Sequence, residues 1–238
     1  MKCAIMQPTY LPWAGYFYLI SQVDYFVFLD DAQFQKGTWH NRNRVLINGI
    51  PSWITVPVIR EYLGQKINLS VIDDSKSWRK QHVNTIKQNY SQHPYFDCLN
   101  PILEIIEDNS LKILSDLNVK IIYYVCKILE LESNFKVSSE MSIGGHRSNR
   151  IKSICDYLNC EEYLSPAGAK DYLEEDKFED FSSIKLILSN FCSNPYLQRK
   201  TNEFHEYLSI IDVLANLGPH KTREYIMSIK DREVSNAC

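Results

Sequence analysis

The chain has 238 residues, a hydrophobic fraction of 45% and a formal net charge of −3. That length supports a full core, as one large domain or as a core with an appended subdomain, and the charge excludes the basic face that broad nucleic-acid binding needs. Glycine is scarce, and neither G-x-G-x-x-G nor G-x-x-x-x-G-K-[ST] occurs, which excludes the common glycine-rich nucleotide fingerprints.

The chain opens with CAIMQP, a short apolar run that stops abruptly and reads as a buried strand. Pro8, Pro12 and Gly15 break the chain there. AGYFYLISQV then places Tyr16, Leu19, Ile20 and Val23 on one helical face, and YFVFLD reads as a second buried strand. Strand, helix and strand at this spacing form a right-handed parallel unit. RVLINGIPSWITVPV predicts a hairpin turning at Asn48-Gly49, and INLSVID, residues 67–73, predicts another strand. Beyond Asp74 the pattern becomes helical: Trp78, His82, Ile86 and Tyr90 recur every four residues as a core-facing stripe. SLKILSDLNVKIIYYVCKILEL predicts a longer helix with a break near Asn118, and RSNRIKSICDYLN a further amphipathic one. EYLS and SIKLILSNF read as strands. LSIIDVLANLG and HKTREYIMSIK predict two closing helices, the first ending at Gly218 with Pro219 just beyond.

Together these elements predict an α/β fold: a Rossmann-like parallel sheet with a hairpin insertion and a helix-rich middle and C-terminal part. No linker divides the chain, so residues 1–230 are expected as one α/β domain with a helical lobe at about 75–135, and 231–238 as a frayed tail. The seven cysteines include no C-x-x-C pair, and His82, His93, His205 and His220 lack metal-ligand spacing. No apolar run approaches the roughly 20 residues that span a bilayer, and the first residues do not read as a secretory leader. The expectation is a reduced cytoplasmic protein.

In open α/β sheets ligands bind at the carboxyl ends of strands, and both of the first two strands end in polar groups. After YFVFL come Asp30, Asp31, Gln33, Lys36, His40, Arg42 and Arg44. The carboxylate pair fits Mg²⁺ coordination or general acid–base work. Lys36, Arg42 and Arg44 fit phosphate or carboxylate, and His40 fits a proton acceptor near neutral pH. In the first turn, Tyr10, Trp13 and Tyr16 either close the core or stiffen an anion-binding helix start. Gly144, Gly145 and His146, before Arg147 and Arg150, fit either a phosphate turn or a simple cap. Ser165, Gly168 and Lys170 follow a strand as a possible pocket edge, and Tyr196, Gln198 and Arg199 follow another as pocket edge or surface loop.

Q-P-T-Y-L-P-W-A-G-Y-F (Gln7 to Phe17), L-D-D-A-Q-F (Leu29 to Phe34) and the run from Trp39 to Arg44 resemble the WbqC-like family. Y-L-S-x-x-G-A-x-D-Y-L (Tyr163 to Leu173), N-P-Y-x-Q (Asn194 to Gln198) and L-S-I-I-D-x-L-x-N-L-G (Leu208 to Gly218) match it in order. The resemblance implies a role in O-antigen or other surface-polysaccharide synthesis, with an amino acid such as glycine, or another short acyl group, placed on an amino sugar. A weaker likeness is to nucleotidyltransferases of the H-x-G-H type: Gly15 and Gln33-Phe34 fall where that pattern has its glycine and Q-F, while Trp13 and Tyr16 replace both histidines. It implies ATP, Mg²⁺ and an acyl-adenylate; a thioester or an aminoacyl-tRNA is the alternative donor, the latter the one nucleic-acid partner. On this reading the acceptor is a nucleotide-linked amino sugar. Asp30 or Asp31 holds Mg²⁺ or orients the amine and His40 takes its proton, Gln7, Tyr10 and Gln33 position donor or sugar, and Gly15, Lys36, Arg42, Arg44, Ser165 and Gln198 complete the binding set. The rival is a non-catalytic nucleotide-sugar binding protein.

Overall fold

A computed structural model describes residues 1–189 and 191–228. Its central element is a five-stranded, all-parallel sheet in the order β5-β2-β1-β6-β7, formed by β1 (Lys2–Met6), β2 (Tyr25–Phe28), β5 (Asn134–Val137), β6 (Glu162–Pro166) and β7 (Lys185–Ser189). β1 pairs with β2 from Cys3↔Tyr25 to Met6↔Phe28, and with β6 at Lys2↔Glu162 and Cys3↔Tyr163. β3 (Arg42–Ile47) and β4 (Ile50–Thr55) form a separate antiparallel hairpin. Asn48 and Gly49 turn it with φ of 52° and 79°. Two successive positive φ values define the tight turn whose twist suits a two-residue hairpin, and asparagine and glycine adopt them most cheaply.

Alternation along the strands divides the core. Ala4, Phe26 and Phe28 face a large cluster that includes Tyr16, Phe17 and Ile20 of α1 (Ala14–Ser21). The same cluster takes in α2 (Trp78–Tyr90), α3 (Asn100–Glu107), α4 (Leu114–Ile128) and α8 (Ile210–Met227). Cys3, Ile5 and Val27 face the other way, onto α5 (Arg147–Tyr157), α6 (Lys170–Glu175) and α7 (Phe178–Phe181). A period of two on strands buried from both sides explains why CAIM and YFVF read as unbroken apolar runs.

Three places differ from the sequence expectation. Residues 67–73 are not a strand: Ile67–Leu69 is a single 3-10 turn, and only isolated bridges follow at Val71 and Ile72. Side chains take over the backbone partners there. The Ser70 hydroxyl donates to the Lys66 carbonyl at 2.8 Å and Gln65 Nε2 to the Leu69 carbonyl at 3.2 Å. α4 runs unbroken through Asn118, whose amide leaves the helix and donates to the carbonyls of Pro8 (3.1 Å) and His40 (2.9 Å). The strand β5 was not expected, because only four residues of alternating exposure mark it. The two closing helices part at Gly218 as the sequence predicts: within α8 that residue is non-helical (φ 73°, ψ 169°), Pro219 follows it, and the ring of Tyr95 fills the space a Cβ would need. Residues 231–238, expected as a tail, lie outside the described residues.

No helix among the described residues is long and apolar enough to cross a membrane. Cys3 and Cys155 are buried free thiols with sulfurs 3.3 Å apart.

Candidate functional site

The strand order reverses between β1 and β6, and a crevice opens outside the carboxyl ends at such a switch point. β2 ends at Phe28 and hands the chain to Leu29, Asp30 and Asp31. Backbone hydrogen bonds lace this loop to the segment after the hairpin: Phe34 N–H to the Gln65 carbonyl (2.7 Å), Ile67 N–H to Ala32 (3.0 Å) and Asn68 N–H to Asp30 (2.9 Å). The carboxylates are thus held on a braced loop. β5, parallel to β2, ends where Ser138 and Ser139 begin. Asp30 is buried and accepts from the Ser138 hydroxyl (3.0 Å), the Ser139 N–H (3.0 Å) and the Ser139 hydroxyl (2.6 Å). Asp31 lies 2.6 Å from the Ser138 hydroxyl and takes Nη2 of Arg150, on α5, at 2.6 Å. Arg150 is anchored in turn by Nη1 on the Ile143 carbonyl at 2.7 Å.

Asp31 and Arg150 form part of the wall of a cleft of about 640 Å³, together with Gln7, Gln33, Gln35, Lys66, His146, Arg147 and Tyr172. Its charge is not evenly neutralised. Arg147 reaches Glu175 (2.7 Å) and Asp176 (3.2 Å), and Arg150 reaches Asp31. Among the described residues no carboxylate lies within ion-pair distance of Lys66. A cleft with one surplus cation, amide side chains and a braced carboxylate–guanidinium pair fits an anionic group such as a diphosphate beside a neutral polar one. A second compartment of about 240 Å³ shares Gln7, Leu29, Ile151 and Tyr172 with it and runs between the ends of β1 and β6.

The two aspartates do not fit a Mg²⁺ ion as they are arranged. Asp30 spends both oxygens on serine donors, and Asp31 has a guanidinium where a divalent cation would sit. Mg²⁺ takes near-octahedral oxygen ligation and would meet that charge directly.

The remaining sequence candidates fall in several places. Gln7 and Gln33 line the cleft, and Lys36 is exposed on the loop beyond it. His40 is 9% exposed; its Nδ1 accepts the Gln35 N–H at 3.2 Å, and burial pushes its pKa down to about 4. It therefore stays neutral at physiological pH, beneath the loop that presents Gln35 to the cleft. Tyr10 is wholly buried, its hydroxyl 2.9 Å from His82 Nδ1. Gly15 lies under the indole of Trp13, which occupies the space a Cβ would take and packs edge-on to Phe191 and Tyr207. That indole covers the start of α1, where an anion would otherwise approach the backbone. Arg42 and Arg44 lie on the hairpin, with guanidinium carbons 4.1 and 5.8 Å from the Trp53 ring centre. Arg44 also donates to the Glu206 carbonyl at 3.0 Å. Ser165 is fully buried, and its hydroxyl lies 3.4 Å from the Pro166 carbonyl. Gln198 is 4% exposed and donates to the carbonyl of His205 (2.9 Å) while accepting its N–H (2.8 Å), closing a loop on itself.

Ser138, Ser139, Lys66 and Tyr172 do not stand out as site residues in the sequence. Gly144-Gly145-His146 before a helix was the signal for the Arg150 wall. No local pattern marks Lys66, which is held at the cleft by the bridge between Gln33 and Lys66 and the backbone bonds on either side of it.

Comparison with known proteins agrees with this layout in extent. Residues 7–224 match the model of the WbqC-like protein family. The chain is 33% identical over 223 residues to the uncharacterized protein Rv1507c of Mycobacterium tuberculosis (strain ATCC 25618 / H37Rv), covering 91% of this chain and 94% of that one. No solved structure is significantly similar to it. Since the matched segment runs from the end of the first strand into the last helix and so includes the whole cleft, the chain belongs to the WbqC-like protein family.

Proposed function

We propose that this protein transfers a short acyl or aminoacyl group to the amine of a nucleotide-linked amino sugar, in the synthesis of a surface polysaccharide. The observation that carries the reading is the Asp31–Arg150 pair set in a cleft with the uncompensated cation of Lys66. Lys66 would bind the diphosphate of the acceptor. Asp31 would orient the sugar amine and take its proton. The amine nitrogen then forms the amide bond, and the bond from the acyl carbon to its leaving group breaks with its electron pair. Arg150 would hold the Asp31 carboxylate in place and stabilise the oxyanion that develops on the acyl carbonyl. Gln7 and Gln33 would orient donor and sugar. Asp30 and His40 are positioning residues on this reading: Asp30 fixes the Ser138 hydroxyl that meets Asp31, and His40 holds the Gln35 N–H.

The covering of Gly15 by Trp13 favours a donor that is activated beforehand, as a thioester or an aminoacyl-tRNA, over an adenylate formed at this turn. The test is a mass-spectrometric transfer assay with UDP-glucosamine and other nucleotide-linked amino sugars. Acyl thioesters, aminoacyl-tRNA, and carboxylates with ATP serve as donors. Transfer from at least one donor is expected, falling by about a hundredfold or more in Asp31→Ala, the usual loss for a general acid–base group. Saturable binding of the sugar nucleotides with no transfer from any donor would replace this reading with that of a binding protein.

A further inference from the structure

The smaller compartment differs in chemistry from the cleft it joins. Among the described residues no Asp, Glu, Lys, Arg or His lines it; Ile5, Leu29 and Ile151 supply apolar wall, and polar side chains come from Gln7, Tyr163 and Tyr172. Its volume of about 240 Å³ is below the roughly 300–1,000 Å³ of pockets that hold drug-sized ligands, so it holds a smaller group than those. Asp31 lines the larger cleft and not this compartment. A primary ammonium placed here would lose its water without gaining a carboxylate, a costly exchange. An uncharged chain loses nothing comparable and gains apolar contact. Gly168 also lines the compartment, and a Cβ built on it would meet no atom within 4 Å. A Cβ at 168 therefore fits without displacing the wall.

We infer that this compartment receives the acyl chain of the donor, and that the chain is short and uncharged, such as acetyl or propionyl, rather than an α-aminoacyl group with a cationic amine. The inference rests on the transfer reading above, and it makes Gly168 the residue that sets how long a chain is accepted. An amide carbonyl at the mouth would lie beside Gln7 and Tyr172, the two polar side chains among those common to both compartments, with the Asp31–Arg150 pair on the larger side.

The test uses amides that carry neither a sugar nor a leaving group. Acetamide, propionamide and glycinamide are titrated into ¹⁵N-labelled protein at about pH 6.5, where the α-amino group of glycinamide is charged, and again at about pH 9, where it is not. Propionamide is expected to shift the backbone amide signals of Gly168 and Ile151. Glycinamide should bind at least about tenfold more weakly at the lower pH and approach propionamide at the higher one. Gly168→Leu should weaken propionamide at least about tenfold, with Gly168→Ala intermediate and the dispersion of the spectrum unchanged in both. Equal affinity for glycinamide and propionamide at the lower pH, no shift at Gly168, or undiminished binding in Gly168→Leu would each overturn the inference. Amide binding as expected in a protein that transfers nothing would instead sink the transfer reading and leave the preference of the compartment standing.

Discussion

Three imidazoles are enclosed deeply enough that burial pushes each down to about 4: His40, His82 and His93. In the unfolded chain they would protonate near 6.5, the ordinary value. Between about pH 6.5 and 4 the unfolded state thus binds protons that the native state refuses, so their contribution is complete above 6.5 and is lost as pH falls towards 4. Asp212 acts in the opposite direction. Burial raises it from 3.8 to about 6, although Tyr196 and Tyr90 donate to it at 2.7 and 3.1 Å. Its contribution is complete below about 3.8 and is lost as pH rises through 6. Three groups outweigh one, so the melting temperature is expected to fall as pH is lowered from 7 to 5, and Asp212→Asn should steepen that fall. A melting temperature unchanged between pH 7 and 5 would contradict the enclosure of these histidines. His40 shows why a residue type alone misleads. Its chemistry suits proton transfer, and its place under the Gln35 loop depends on Asn118, 78 residues away, which no local pattern reveals.

Among the elements, the asparagines of the N-R-N-R run hold the site in shape while its arginines lie elsewhere. Asn41 Nδ2 donates to the Val56 carbonyl at 2.8 Å, and Asn43 Nδ2 to the carbonyls of Tyr10 and Leu11 at 3.2 and 2.7 Å. Leu11 has a φ of 46°, so the turn after β1 takes a conformation that leucine rarely adopts and that these bonds support. Asn118 completes the brace from α4. Removing its amide strands two buried carbonyls, each at about 1–3 kcal/mol. Asn118→Ala is therefore expected to lower unfolding stability by about 2–4 kcal/mol in urea titration; a loss under about 0.5 kcal/mol would show that the brace carries little. The strands β1 and β2, the hairpin and the helices α1, α2 and α5 were legible because each has a clean period and a stop signal: Pro8, Asn48-Gly49, or the glycines before α5. β5 was not, since four residues of alternating exposure look like loop, and with it went the Ser138–Ser139 pair that engages the aspartates.

For the molecule as a whole, the parallel sheet brings scattered short motifs together around one cleft. The end of β1 gives Gln7, the end of β2 gives Asp31, and β5 adds the serines that fix the carboxylates. α5 returns on the far face with Arg150, and β6 leads to Gly168 and Tyr172. The sequence located the first two of these ends because strand, turn and polar cluster are contiguous there. The far wall is assembled by pairings more than a hundred residues apart, such as Asp31 with Arg150, and the arginines nearest in sequence were drawn to Trp53 on the hairpin instead. On the proposed reading, chemistry takes place at the cleft of Asp31 and Arg150 and not on the hairpin of Arg42 and Arg44. The most direct measurement compares transfer by Arg150→Ala and Arg44→Ala proteins of equal thermal stability, with the donor and acceptor that the wild-type protein uses. The expected result is a loss of about a hundredfold or more in kcat/KM for Arg150→Ala and a change of less than about threefold for Arg44→Ala. The reverse order, with Arg44 essential and Arg150 dispensable, would contradict the account and move the site to the hairpin.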